Sequence, residues 1–196
     1  METVKFITKL DLLFDVEQLR NDLEQLLNIR PWPERTIIND KIYPANQLGI
    51  TYRKNADDIW LDAGGNLYDF EKKEFIATEK DFSELNDNVG EYTKNMLTEI
   101  SKKIGKNFGR IRYMKMPMKQ GLTVHRDFEV RYHIVLHTNP GAMFGETVNE
   151  EGLAAKCYHI PADGCVYKVD TTRKHFVYNG GWDDRIHMVL CEAGSI

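Results

Sequence analysis

From residue 109 onward the chain carries no helical period. "GRIRYMKMPM", "EVRYHIVLHT", "KCYHIPA", "GCVYKVD", "KHFVYNGG" and "DRIHMVLCE" alternate or run β-branched and aromatic, and turn residues part them at short intervals. Strands this closely spaced leave no room for the helical crossovers that a parallel sheet needs. They must pair antiparallel, in a sandwich or barrel. That constraint fixes the fold class as mainly β.

The first half reads differently. "DVEQLRNDLEQLLN" (15–28) sets Val16, Leu19, Leu23, Leu26 and Leu27 at helical spacing. Asp15 can cap this helix, Gln18 stands at the capping-box position, and "RPWP" stops it. A second helix is expected over 88–104, with Tyr92, Met96, Ile100 and Ile104 four apart. Lys102, Lys103 and then Gly105 suit its C-terminal end. Between the helices "LGITYR", "DIWLD" and "EFIAT" read as short strands. The expected organisation is a single domain over 1–196. Residues 1–108 form a helical and β support region, and 109–196 a β-roll on which the α+β N-terminal half packs.

At 196 residues such a domain can bury a substantial core. Its net charge of −4, with Lys and Arg scattered, gives no pull toward nucleic acid or anionic lipid. The first thirty residues hold no signal-like apolar run, and no stretch reaches eighteen apolar residues. Cys157, Cys165 and Cys191 form no CxxC pair, and an odd count argues against a disulfide framework. A cytoplasmic protein without nucleic-acid or membrane partners is expected.

The stretch "VHRDFEVR" places His125 and Asp127 two residues apart. Read as strand, these positions share a face, so both side chains can approach one ion. His175, in "TTRKHFVYN", offers a third ligand. Two imidazoles and a carboxylate on one side of an ion leave its other positions open, which is the pattern of non-haem Fe(II) oxygenases. HxD is also a common string, and His175 reads equally as a hydrogen-bonded strand histidine. Basic residues nearby favour the site. Arg185, His187 and Val189 share a strand face, as do Arg131 and His133. An arginine facing into an apolar roll needs an anion, and a dicarboxylate would match its fork. The other reading pairs Arg185 with Asp183 or Asp184.

"HRD", "RYHIVL" and "DGCVYKVDTTRKHFVYNGGWDDRIHMVL", over about residues 109–191, resemble the aspartyl/asparaginyl β-hydroxylase family of 2-oxoglutarate/Fe(II) oxygenases. The proline 3-hydroxylase branch, which keeps HxD, is most similar. The resemblance implies a double-stranded β-helix, that is, a cupin-like jelly roll. It makes His125, Asp127 and His175 the iron ligands and Arg185 the partner of the distal 2-oxoglutarate carboxylate. Arg131 and His133 match an RxH pair that approaches the co-substrate. The peptide-modifying branch has HxG, so Asp127 separates this chain from it.

The implied activity is hydroxylation of an amino acid or amino-acid side chain, with decarboxylation of 2-oxoglutarate to succinate. A small-molecule substrate, a free amino acid in particular, is favoured over a peptide side chain, with Arg53 or Arg112 as candidates for its carboxylate. Two alternatives remain at this level: a cupin-like metal enzyme that does not use 2-oxoglutarate, and a non-catalytic metal-binding β-roll.

Overall fold

The computed structural model describes residues 5–38, 41–149 and 154–195. Its elements begin with strand β1 (Ile7–Leu13) and helix α1 (Val16–Ile29). Short strands follow: β2 (Thr36–Ile38), β3 (Lys41–Tyr43), β4 (Gln47–Gly49), β5 (Thr51–Tyr52), β6 (Tyr68–Asp69), β7 (Glu74–Phe75) and β8 (Glu84–Leu85). Helix α2 (Glu91–Ile104) leads into β9 (Lys106–Met116) and β10 (Gln120–His125). Then come β11 (Arg131–His137), β12 (Ala142–Thr147), β13 (Ala155–Tyr158), β14 (Cys165–Val169), β15 (His175–Asn179) and β16 (Arg185–Ser195). Contacts divide the chain into two units, Met1–Val16 with Lys115–Val189 and Glu17–Met114 with Leu190–Ile196.

The first unit is the expected roll. One of its sheets runs β1, β14, β11 and the start of β16, and the other β10, β15, β12 and β13. Neighbours such as β1 and β14, or β12 and β15, pair antiparallel. Alternation turns every second side chain inward, and Val135, Phe144, Tyr167, Val169 and Val177 meet in one buried cluster with Phe6. Burying side chains of this size contributes roughly 1.5–3 kcal/mol each. β1 was not legible as a strand. Its pairing with β14 slips between Lys9 and Leu13, and that irregularity hides the two-residue period. Its place is also held by charge, since Lys9 Nζ lies 2.7 Å from Asp163 Oδ2, which accepts the Tyr167 hydroxyl at 2.8 Å as well.

The second unit holds both helices, close to their expected bounds. α1 buries Leu19, Leu23 and Leu26; α2 buries Thr93, Met96, Leu97 and Ile100. α2 starts at Glu91, later than the expected 88, because its N-terminal cap comes from another helix. Asp22 of α1 accepts the Thr93 N–H at 2.8 Å. A side chain at Gly90 would meet the Asp22 carboxylate at about 2.0 Å, so only glycine admits this capping. Gly105 ends the helix in the left-handed region, as read.

The strands expected between the helices fare less well. "LGITYR" is cut in two, β4 pairing with β9 and β5 with β8. "EFIAT" is strand only at Glu74–Phe75. "DIWLD" is a turn. Asp58 Oδ1 accepts the N–H groups of Trp60 and Leu61 at 2.8 and 3.2 Å, a side-chain bond that outcompetes the strand ladder. Among the described residues no helix is long and apolar enough to cross a membrane.

That turn delivers Asp62, whose side chain is fully buried, to Arg53. Asp62 accepts the Arg53 backbone N–H at 2.9 Å and its Nε–H at 3.0 Å. Burial pushes the Asp62 carboxyl up, but the Arg53 hydrogen bonds and charge more than offset this and hold it below the usual carboxylate range. Asp62→Ala should therefore lower stability by about 1.5–3 kcal/mol, the worth of charged hydrogen bonds to the part-exposed Arg53, measured by urea unfolding at neutral pH. Because the folded value lies below the unfolded one, this contribution is present above the ordinary carboxylate range. It is lost as pH falls through the folded value, so the variant should show a flatter acid limb than the parent.

Candidate active site

His125 and His175 face each other directly across the β10–β15 ladder, with ring centroids 4.3 Å apart. Each imidazole is oriented by a carbonyl two residues back. His125 Nδ1 lies 2.6 Å from Thr123 O, and His175 Nδ1 lies 2.9 Å from Arg173 O. A carbonyl only accepts, so the protons sit on Nδ1 and both Nε2 lone pairs point away. Burial pushes His175 down from the ordinary histidine range, and the neighbouring His125 and Arg131 add to the effect. Its neutral, metal-binding form is favoured.

Asp127 is not on the strand, contrary to the reading of "VHRDFEVR". β10 ends at His125, where the ladder register shifts. Asp127 sits in the following loop, tied by its N–H to Thr171 O at 2.8 Å, while Thr171 Oγ1 donates to Glu129 O at 2.7 Å. Thr171 lies in the turn before β15 and fixes the Asp127 loop.

Arg131 Nη2 donates to Asp127 Oδ1 at 2.7 Å. Oδ2 is buried with no hydrogen bond and stands 3.6 Å from His175 Nε2. The ligand atoms of His125, Asp127 and His175 all lie within 4.8 Å of one another. A buried carboxylate oxygen lacking a hydrogen bond, beside two imidazole lone pairs, fits a divalent cation.

Behind this cluster is a second, cationic one. Arg185 is fully enclosed, with its guanidinium 5.1 Å over the Phe144 ring. Burial pushes its pKa down to about 9. The acids proposed as its partners are engaged elsewhere, Asp183 with His137 at 2.8 Å and Asp184 with Lys115 at 3.7 Å. Among the described residues no carboxylate pairs with Arg185. Its Nη2–H donates to His187 Nδ1 at 3.0 Å, which places the His187 proton on a buried Nε2 that has no hydrogen bond. Burial first, then Arg185 and His133, hold His187 well below the ordinary histidine range.

The RxH pair therefore divides. Arg131 turns to Asp127, whereas His133, two residues deeper, stands edge-on to Phe144 at 5.0 Å with its Nδ1 3.3 Å from His187 Nδ1. Of the remaining candidates, Arg53 is held by Asp62, and Arg112 is buried on β9, opposite Gly49. Trp182 is 82 % exposed, with Lys119 Nζ 3.8 Å over its ring. Glu146 on β12 was not singled out at all. "AMFGET" hides its strand behind Gly145, where a Cβ would lie about 2.0 Å from the Phe176 ring, so glycine interrupts the pattern for a packing reason.

A jelly roll carrying an open-sided His–Asp–His cluster defines the class of non-haem metal oxygenases. The chain belongs to the aspartyl/asparaginyl β-hydroxylase family, whose profile matches residues 15–191. Among curated proteins none matches the sequence. Among solved structures, a 2OG-Fe(II) oxygenase family oxidoreductase from Burkholderia pseudomallei is similar, at 14% identity and TM-score 0.53, covering 97% of this chain and 86% of that one. A prolyl-4-hydroxylase from Pseudomonas putida follows at 10% and 0.54, covering 95% and 91%. HygX from Streptomyces hygroscopicus, solved with nickel and 2-oxoglutarate, follows at 9% and 0.56, covering 97% and 82%. At these identities the likeness is one of fold.

The geometry sets an outcome for metal titration. Calorimetry with Ni²⁺ or Mn²⁺ should show one bound divalent ion in the parent and none in His175→Ala. Arg131→Met should weaken binding by about 10–100-fold, the usual cost of losing the group that orients a ligand. Parent-like affinity in both variants would mean that the ion sits elsewhere.

Proposed function

We propose that the protein is an Fe(II)- and 2-oxoglutarate-dependent dioxygenase that hydroxylates an amino acid or an amino-acid side chain. The observation that carries this reading is Arg185, a buried guanidinium with no carboxylate partner among the described residues, in the same unit as the His125–Asp127–His175 cluster. A desolvated cation of this kind calls for an anionic ligand. The distal carboxylate of 2-oxoglutarate would supply one, with Arg185 holding it and His125, Asp127 and His175 holding the ion. HygX, similar in fold, binds nickel and 2-oxoglutarate, which supports the pairing. When bound, iron and 2-oxoglutarate supply the oxidising chemistry: O₂ is consumed, CO₂ and succinate leave, and one oxygen atom goes to the substrate as hydroxyl.

The chain's own residues have distinct tasks. His125, Asp127 and His175 hold the ion through two neutral imidazoles and one carboxylate. Arg131 fixes the Asp127 rotamer by occupying Oδ1, so that Oδ2 turns to the metal. Arg185 takes the distal carboxylate. His187 accepts one guanidinium N–H and so orients the remaining donors of the fork. Phe144 and His133 wall this end of the pocket and keep it dry, where a charge pair is worth more than in water. The substrate is a small molecule or a peptide side chain, and the small molecule is the favoured reading. Cys157, Cys165 and Cys191 are all free, which supports placing the enzyme in the reducing cytoplasm.

Arg185→Ala should weaken 2-oxoglutarate binding to the Ni²⁺-loaded protein by roughly 2–5 kcal/mol, read by calorimetry under nitrogen. The parent should release succinate when given Fe(II), 2-oxoglutarate and O₂. An Arg185→Ala protein that binds 2-oxoglutarate as tightly as the parent removes the anchor, and a parent that does not bind it at all removes the co-substrate.

A further inference from the structure

The turn at residues 170–174 supports two members of the His125–Asp127–His175 cluster. Thr171 O accepts the Asp127 N–H at 2.8 Å, and Arg173 O accepts from His175 Nδ1 at 2.9 Å. The turn is closed by the Arg173 N–H, which donates to Asp170 O at 3.2 Å. Two successive residues of β12 hold it from the side. The Thr147 N–H and hydroxyl both donate to Lys174 O, at 3.1 and 3.3 Å, and Glu146 Oε1 accepts from Arg173 Nη2. Glu146 is 5 % exposed, stands in register opposite His175 and lies outside the ligand cluster. Its Oε2 accepts the Tyr158 hydroxyl at 3.1 Å. The Arg173 guanidinium lies 5.8 Å from the Phe6 ring, which packs 5.7 Å from Tyr158 and 6.3 Å from His175.

A buried carboxylate is a costly way to fasten a turn, and Thr147 with the Asp170 bond already fastens this one. The Glu146–Arg173 pair acts on what those bonds leave open, the direction of the Arg173 carbonyl. The His175 ring turns with that carbonyl, because Nδ1 is bound to it, and Nε2 swings on the far side of the ring. A metal-binding group has to stay within roughly 0.5 Å and 10–20° of its productive geometry. We infer that Glu146 is a positioning residue for the metal centre. Through Arg173 it fixes the carbonyl that holds His175, and through the same turn it steadies Thr171 O, on which the Asp127 loop hangs. It also draws the Arg173 side chain across Phe6 and so closes the apolar backing of the His175 ring.

The inference rests on the proposed metal site, and its test reads the ion and not turnover. Co²⁺ is titrated into the full chain, and its affinity and visible ligand-field bands are recorded. Glu146→Gln keeps the side-chain shape and removes the charge. It should weaken Co²⁺ binding by about 10–100-fold, the usual cost of losing an outer partner of a metal ligand, and shift the bands. The metal-free variant should keep a parent-like circular-dichroism spectrum. Arg173→Met, on a half-exposed side chain, should have the same two effects. In the Arg173→Met background Glu146→Gln should cost about twofold or less, since members of one chain of contacts are not additive. Parent-like affinity and bands in Glu146→Gln, or its full loss repeated in the Arg173→Met background, would overturn the positioning role. Should Glu146→Gln not fold, Arg173→Met decides alone, and parent-like bands in it overturn the role equally. A parent that takes up no Co²⁺ is a different result, which removes the ion site itself and the role with it.

Discussion

One rung of backbone pairing organises the site. Because β10, β15 and β12 are adjacent antiparallel strands, His125, His175 and Glu146 fall in a row on the inner face of a single sheet. No loop has to be shaped to bring these groups together. The pleat does it, and the rigidity of the ladder becomes the rigidity of the site. The facing sheet follows the same rule. Arg131 and His133 alternate inward along β11, as Arg185 and His187 do along β16, so a metal level and a deeper cationic level arise from the two-residue period alone.

Around that rung, backbone carbonyls and one arginine settle the details that pairing cannot. Thr123 O and Arg173 O choose the tautomers of the two histidines, and Arg131 chooses which carboxylate oxygen Asp127 offers. The deeper level has the opposite character. Arg185 and His187 satisfy each other only in part, and each is left with capacity directed at something the protein itself does not provide. Unfulfilled polar groups in an otherwise well-packed roll are the mark of a ligand site.

Much of this was legible in the sequence. The strands after residue 109 announced themselves by alternation, and both helices by leucine, methionine and isoleucine spacing and by Gly105. The cluster of His125, Asp127 and His175 was reached from HxD and a later histidine, since metal chemistry restricts residue types severely. Four things were not legible, each for a physical reason. Asp58 folds "DIWLD" into a turn through a side-chain bond whose geometry no propensity encodes. Asp22 begins α2 from a different helix. β1 loses its period to an irregular register. Glu146 lay hidden because the glycine before it makes room for a ring on the next strand. In the last three the deciding partner is remote in the chain or lies in a neighbouring strand, and local pattern carries no trace of it; in the first the partners are two and three residues on, where the apolar residues of the stretch mask the turn.

The pairing of β1 with β14 has a consequence for assembly. Ile7 finds Val169 as its partner, and Phe6 packs against Val169 and Val177 from the far end of the chain. The segment that supports His175 and Arg173 is thus made long before its partners on β14 and β15. Closing so large a loop is slow because its entropy is spent before any contact compensates for it. On the ribosome the wall beneath the rung has to wait, unpaired, until β14 and β15 have emerged. His125 and Asp127 are made before His175, so an ion bound earlier would meet them without the third member of the cluster.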